Sequence, residues 1–297
     1  MSQSKIAWIG AGKMGLPICK RLMSAGHDVR VLARRPEQAK LLSEAGFRIA
    51  SAIPNLVADV DVVFTAVPDD RVLADVALNS GFTSALRSGA TFIDMSTVSP
   101  SISGKIAAHL PGSIAYLRSP VSGSTAMAEA GTLMALVSGP KSAFDGLTDV
   151  FAVFAKKTFH LGEAEEARYL KLAINSMVAA TSVLLGEALA FGLKGGLTHA
   201  GMLEVITQSA VASPLIGYKK DMIISGDYKP AATLNMLMKD LDLLLTAANE
   251  QGMALPVSSG IRKIYEAASA RGLGERDFFV LVQEAEKAAG SGDERRL

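Results

Sequence analysis

The apolar run KIAWIG (5–10) passes without a break into GAGKMG (10–15), and little else in the chain constrains its architecture as strongly. A short apolar run ending at glycine reads as a buried strand. Apolar residues then recur at helical spacing, at Met14, Ile18, Leu22 and Ala25, before a second apolar run, DVRVLA (28–33). Strand, tight turn, helix and strand make a β-α-β unit, and in that setting the G-x-G-x-x-G spacing becomes a specific signal. Gly10 permits the tight turn, Gly12 lets the backbone approach a pyrophosphate, and Gly15 lets helix and strand pack closely. The start of the helix offers unpaired N–H groups and a partial positive charge to phosphates. Gly10, Gly12, Lys13, Met14 and Gly15 are therefore the first candidate cofactor-binding residues.

The alternation continues, with strands expected at 61–68, 91–96, 115–121 and 132–139 and helices at 36–46, 99–110 and 141–155. Strands alternating with helices imply a parallel, doubly wound sheet. Near Gly162 the pattern changes to a single helical run over 163–193, about 30 residues and ~45 Å long. It carries so few charges at its middle that burial nearly all round is expected. Only helical segments follow, near 198–210, 215–225, 233–252, 256–271 and 275–289. The fold class is thus α/β: an N-terminal doubly wound Rossmann domain (1–162), a long inter-domain helix (163–193), an all-α C-terminal domain (194–290) for substrate binding and oligomerisation, and a loose tail (291–297).

Composition narrows the function. Hydrophobic residues make up 49% of the 297, and the formal charge is +1, so there is material for two cores and no basic field to favour nucleic acid or an anionic membrane. The most apolar stretch, 172–193, contains Asn175, Ser176, Thr181, Ser182 and Glu187, which fits a buried soluble helix better than a bilayer span. The N-terminal segment runs straight into the glycine loop rather than into a cleavable apolar core. With Cys19 as the single cysteine, a reducing, cytoplasmic location is expected. His27, His109, His160 and His199 have no ligand spacing, so no metal site is expected.

The end of the second strand bears on the nucleotide. An NAD enzyme usually places an acid there, about 20 residues on from the glycine loop, for the ribose hydroxyls. This chain has Ala33, Arg34 and Arg35, while Asp28 lies at the opposite end of the strand. Two guanidinium groups suit a 2′-phosphate, so NADP(H) is preferred over NAD(H).

The chain resembles the 3-hydroxyisobutyrate dehydrogenase family, the β-hydroxyacid dehydrogenases. These are relatives of 6-phosphogluconate dehydrogenase and include tartronate and succinic semialdehyde reductases. The resemblance rests on IGAGKMGLPICKRLMSAGHDVRVLARRPEQA (9–39), DMSTVSP (94–100), SPVSG (119–123), LGEAEEARYLKLAIN (161–175) and LMKDL (237–241), in order and over almost the full length. It implies that Lys171 is the catalytic lysine with Asn175 beside it, and that Ser122 and Gly123 hold the carboxylate of a small acid. It further implies that Val67, Pro68 and Thr97 contact the cofactor, that Lys239 lies near it, and that the protein is a homodimer or homotetramer. Four places depart from the family pattern: Gly123-Ser124 stands for a glycine pair, Arg118 for an acid, Ile174-Asn175 for paired asparagines, and Ala231-Ala232 where an aromatic is frequent. These bear on substrate identity more than on reaction type.

The chemistry asks for such residues. Reducing a carbonyl builds negative charge on its oxygen, so a proton donor must sit within hydrogen-bond reach. A free lysine titrates at about 10.4, too high for easy two-way proton transfer at neutral pH; desolvation against Leu170, Leu172 and Ile174 would lower it. Asn175, four residues on, shares its helical face. The expected activity is NADP-dependent hydride transfer to or from a short 3-hydroxy acid or semialdehyde. The alternatives are an imine reductase-like enzyme and a non-catalytic NADP-binding module. For Arg118 two roles stay open, contact with a second anionic group of the substrate or exposure to solvent.

Overall fold

The computed structural model describes residues 3–33 and 35–290. They form two compact units that part between Lys171 and Leu172, inside the long helix Glu166–Lys194. The tail expected at 291–297 lies outside the described residues.

The first unit is built on six parallel strands: β1 (Lys5–Ile9), β2 (Asp28–Leu32), β3 (Arg48–Ala50), β4 (Val62–Thr65), β5 (Thr91–Asp94) and β6 (Ala115–Arg118). Their spatial order is β3-β2-β1-β4-β5-β6. Helices cover both faces, which is why the central strands are continuous apolar runs rather than alternating ones. Trp8, Phe64, Ile93 and Leu117 pack on one face with Ile18 and Leu22 of the helix Gly15–Ser24. Ala7, Ile9, Val63, Phe92 and Tyr116 pack on the other with Leu73, Val76 and Ile106. The order reverses between β1 and β4, and open sheets of this kind bind ligands at that switch point, outside the carboxyl ends of the strands.

Two details differ from the sequence expectation. The run 115–121 is not one strand. It breaks at Ser119-Pro120, and the chain turns into a second, three-stranded sheet of β7 (Val121–Ser122), β8 (Leu133–Val137) and β9 (Ala155–His160). In it β7 runs antiparallel to β8 and β9 parallel to it. The stretch 141–155 is not one helix either: it forms Lys141–Asp145 and Thr148–Ala152, broken around Gly146, and β9 then begins at Ala155. A helical apolar spacing there reflects two short helices in series.

The second unit holds the remainder of the long helix and the helices His199–Ile206, Pro214–Ser225, Leu234–Glu250, Pro256–Ala268 and Val280–Ala288. No strand occurs in it among the described residues. The hydroxyls of Thr198, Ser213 and Thr233 each accept an N–H from the first turn of the helix that follows. Leu189, Leu237, Tyr265, Phe279 and Leu281 lie at its core. Asp277 is fully buried there, where it accepts from Lys219 Nζ (2.6 Å), Phe279 N–H (3.1 Å) and Ala231 N–H (3.3 Å).

The long helix corrects another expectation. It is not buried nearly all round. Leu172, Asn175, Ala179, Ser182, Leu189 and Leu193 are buried, but Met177 is 71%, Leu184 64% and Phe191 83% exposed. By length and composition alone it is long and apolar enough to cross a membrane, and half of its most apolar window is buried inside the fold.

Candidate functional site

In the first unit the glycine loop closes a tight turn between β1 and the helix Gly15–Ser24. Gly12 N–H donates to the Gly10 carbonyl, and Leu16 N–H donates to that of Gly12 (both 2.9 Å). The three glycines serve different ends. Gly10 has φ +97°, and a Cβ there would lie 2.1 Å from the Ala66 carbonyl oxygen. A Cβ on Gly15 would lie 2.5 Å from the Gly10 oxygen and 2.7 Å from Trp8 Nε1. A Cβ on Gly12 would meet nothing within 4 Å. Nothing among the described residues requires glycine at position 12, and the open space there leaves room for a ligand to approach the backbone. Lys13 is exposed and Met14 half-buried. The first helical amides have no partner within the helix, so the loop fits a pyrophosphate.

At the end of β2, Arg35 is exposed and extended, just before the helix Pro36–Glu44. Arg34 lies outside the described residues. Asp28 is paired with Arg30 (3.1 Å) and Arg48 (3.2 Å) and stands opposite Lys5 at the amino end of the strands. It is therefore far along the sheet from the loop.

The loops after β4 and β5 carry Val67, Pro68 and Thr97. Val67 N–H donates to Ser96 Oγ (2.9 Å), and Ser96 Oγ–H donates to Asp94 Oδ1 (2.6 Å). Thr65 Oγ1 donates to the same oxygen (2.5 Å), and the Arg168 guanidinium is paired with Oδ2. The two loops are thus tied to one buried carboxylate.

Ser122 is half-buried at the end of β7, and Gly123 follows at φ +139°, a conformation in which a side chain would be strained. A Cβ on Gly123 would also lie 2.7 Å from Leu133 Cδ2. Ser124 has a local duty: its hydroxyl accepts the Met127 N–H and caps the helix Thr125–Ala130. Its place in the former glycine pair is thereby accounted for. Arg118 neither faces solvent nor awaits an anion. It is buried, its Nε (2.8 Å) and Nη2 (2.5 Å) donate to Glu165 Oε1, its Nη1 donates to the Tyr116 carbonyl, and its guanidinium lies over the Tyr116 ring.

Lys171 is half-buried on the long helix. Of the three apolar neighbours expected to desolvate it, Leu172 is buried, Ile174 partly so and Leu170 38% exposed. The shielding is therefore one-sided. One turn on, in the second unit, Asn175 is buried and its Nδ2 donates to Asp240 Oδ2 (2.6 Å). Asp240 Oδ1 makes an ion-pair contact with Lys239 Nζ at 2.9 Å, without the alignment of a hydrogen bond. Asp240 is itself buried, so Lys239 and Asp240 are not a solvated surface pair. Through that carboxylate two candidate residues from distant segments, Asn175 and Lys239, come together. Asp240 was not singled out from the sequence, because its partner Asn175 is 65 residues away. Among the described residues no cluster of His, Cys, Asp and Glu is arranged to hold a metal ion.

A doubly wound sheet of this order, with an open glycine turn at its switch point, is the architecture of a dinucleotide-binding domain. Comparison with known proteins narrows this. Residues 5–162 match the family model described as the NAD binding domain of 6-phosphogluconate dehydrogenase. Residues 166–284 match the model described as NAD-binding of NADP-dependent 3-hydroxyisobutyrate dehydrogenase. The chain is 31% identical to 2-(hydroxymethyl)glutarate dehydrogenase of Eubacterium barkeri, over 96% of both chains. Among solved structures it is similar to the 3-hydroxyisobutyrate dehydrogenase of Mycobacterium tuberculosis with L-serine, with TM-score 0.87 and 27% identity over 95% of this chain and 99% of that one. It is also similar to Psf3 in complex with NADP+ and 2-OPP, with TM-score 0.83 and 26% identity over 94% and 99%. The chain belongs to the 3-hydroxyisobutyrate dehydrogenase family.

Proposed function

We propose that the protein is an NADP-dependent oxidoreductase that moves a hydride between the nicotinamide and the carbonyl or hydroxyl carbon of a short 3-hydroxy acid or semialdehyde. The observation that carries this reading is the helix bearing Lys171, with Asn175 one turn on, its amide fixed by the buried Asp240. Gly10, Gly12, Lys13, Met14 and Gly15 would cradle the pyrophosphate, with Val67, Pro68 and Thr97 on the loops beside it. Bound there, the nicotinamide supplies or accepts the hydride. Lys171 donates a proton to the substrate oxygen as the carbonyl is reduced, and removes it in the reverse direction. Asn175, held by Asp240, orients that oxygen. Ser122 and the backbone at Gly123 hold the carboxylate with neutral donors. A reducing, cytoplasmic setting accords with the single buried Cys19, whose thiol burial pushes up and so keeps unreactive. The reading is tested by following nicotinamide absorbance with NADPH and NADH in parallel across 3-hydroxy acids, semialdehydes and cyclic imines. Turnover of an imine in preference to every oxo acid would overturn it.

NADP(H) is preferred because the end of β2 offers no acid, and Arg34 and Arg35 follow it. The double variant Arg34→Ala/Arg35→Ala is expected to weaken NADPH binding about 10- to 100-fold, two charge-assisted contacts being lost, and to leave NADH binding nearly unchanged. Fluorescence titration of both nucleotides reads the difference, and an equal loss for both would refute the assignment.

The protein is further proposed to be a homo-oligomer. Leu170, Met177, Leu184 and Phe191 recur every seven residues and form an exposed apolar stripe along the long helix. A stripe with that spacing suits packing against another helix, and a second copy presents the same one. Met177→Glu/Leu184→Glu is expected to shift the protein to monomers in sedimentation while preserving its circular dichroism. An unchanged sedimentation coefficient would place the contact elsewhere.

A further inference from the structure

We infer that Arg168 and Asp94 form a positioning pair that sets Lys171 against the loops following β4 and β5, an inference that rests on reading Lys171 as the proton donor and acceptor. Asp94, the last residue of β5, is fully buried, and Arg168 is 1% exposed. Every branch of the guanidinium is engaged. Nη2 is paired with Asp94 Oδ2 and donates to Tyr116 Oη (3.2 Å), Nη1 donates to the Ser96 carbonyl (2.5 Å), and Nε donates to Ser103 Oγ (3.4 Å). On the other oxygen of the carboxylate converge Thr65 Oγ1 from the end of β4 and Ser96, whose Oγ receives the Val67 N–H. The backbone of the two loops and the first turn of the helix therefore meet at one group. Lys171 lies one turn beyond it, at i+3.

Two more ties hold the same turn. Glu165 is gripped by Arg118 from the end of β6. The Ser138 hydroxyl, just past β8, donates to the Ala164 carbonyl (2.7 Å) and accepts the Ala167 N–H (3.2 Å). The start of the helix is thus located from β5, β6 and β8, all within the first unit.

A joint needed only for stability has no reason to be ionic, because apolar residues of similar volume commonly serve as well as a buried ion pair. What the ion pair adds is direction. A planar guanidinium reaching a carboxylate and a carbonyl at once fixes the rotation of the helix as well as its distance, which a lysine at that position does not do. Burial is the largest single influence and works against the cation, but the Asp94 charge, together with Tyr116 and Glu165, outweighs it and holds Arg168 charged above the usual arginine range. Rates depend steeply on such registration, since a displacement of about 1 Å costs on the order of 100-fold.

The test compares Arg168→Lys, which keeps the charge and loses the fork, with Arg168→Met and wild type. Arg168→Lys is expected to melt cooperatively and bind NADPH with a Kd within about twofold of wild type, with an unchanged substrate KM. Its kcat is expected to fall by about 10- to 100-fold, with a larger primary isotope effect from deuterated NADPH because hydride transfer has become the slow step. Should Arg168→Met fail to fold, Arg168→Lys alone carries the comparison. A purely structural role predicts that Arg168→Lys recovers rate along with fold. Wild-type kcat in Arg168→Lys, or a loss appearing in KM and Kd rather than kcat, overturns the inference. Lys171→Ala, measured beside it, separates the two ideas: full activity there sinks the acid–base reading, whereas an inactive Lys171→Ala beside a fully active Arg168→Lys sinks only the positioning pair.

Discussion

Lys171→Ala is expected to lower kcat by about a thousand-fold while leaving NADPH affinity within about threefold, a loss in the middle of the range for a removed general acid–base group. The asymmetry follows from where the groups sit. On the proposed reading the pyrophosphate is held by the glycine turn at Gly10–Gly15, whose hydrogen bonds join Gly12 N–H to the Gly10 carbonyl and Leu16 N–H to that of Gly12, well before Lys171 in the chain. On the same reading, removing the amine would leave the oxygen of the reacting carbonyl without a proton source as charge builds on it. The loss belongs in kcat and in kcat/KM together, because the interaction is made in the transition state. Lys171→Arg is expected to recover almost none of it. A guanidinium supplies charge but does not release a proton near neutral pH. Asn175→Ala is expected to fall between, since it removes an orienting bond and leaves Asp240 with one fewer partner. Steady-state rates and NADPH fluorescence titrations on the three variants separate these outcomes, and near-normal turnover in Lys171→Ala would refute the assigned role.

Much of this was legible from local pattern. The strand–glycine–helix run at 5–25 announced the fold and its tight glycine turn, because strand burial, turn geometry and helix periodicity are each written within a few residues. The family resemblance singled out Lys171, Asn175 and Lys239, and the structure joins the last two through Asp240. What stayed hidden involves partners far apart in sequence. Arg118 left two roles open, and the structure gives a third, an ion pair with Glu165, 47 residues on. Asp94 and Arg168 are 74 residues apart, and Asn175 and Asp240 are 65 apart. Periodicity describes one element at a time and says nothing of which polar group another will need. The second sheet was missed because β7 is two residues long and begins directly after Pro120, so it offers too little alternation to register. The exposed stripe of the long helix was missed for a different reason. An apolar helix with few charges is consistent with burial on all sides by one chain, or on one side by this chain and on the other by a partner, and composition does not distinguish them.

The glycine loop allows the two halves of that reading, fold and cofactor, to be separated within one motif. Gly10→Ala places a Cβ 2.1 Å from the Ala66 carbonyl oxygen on a backbone at φ +97°. Neither atom is the tip of a flexible side chain, so β1 and the start of the loop after β4 must move apart, in the middle of a sheet whose strands are buried on both faces. A cost of about 3 kcal/mol or more is expected, by analogy with other overpacked core positions and with the added strain of a left-handed conformation. Gly12→Ala meets no atom within 4 Å and has no positive φ, so its melting temperature is expected to match that of the wild type within a few degrees. If the open space at Gly12 is where the pyrophosphate backs onto the chain, the added methyl intrudes on it, and NADPH affinity should drop by about 100-fold or more. Thermal melts and fluorescence titrations on the two variants then give opposite profiles, one losing fold and the other losing cofactor. A Gly12→Ala variant that binds NADPH as tightly as wild type would mean that the pyrophosphate does not lie against this turn, and the assignment of the whole loop would fall with it.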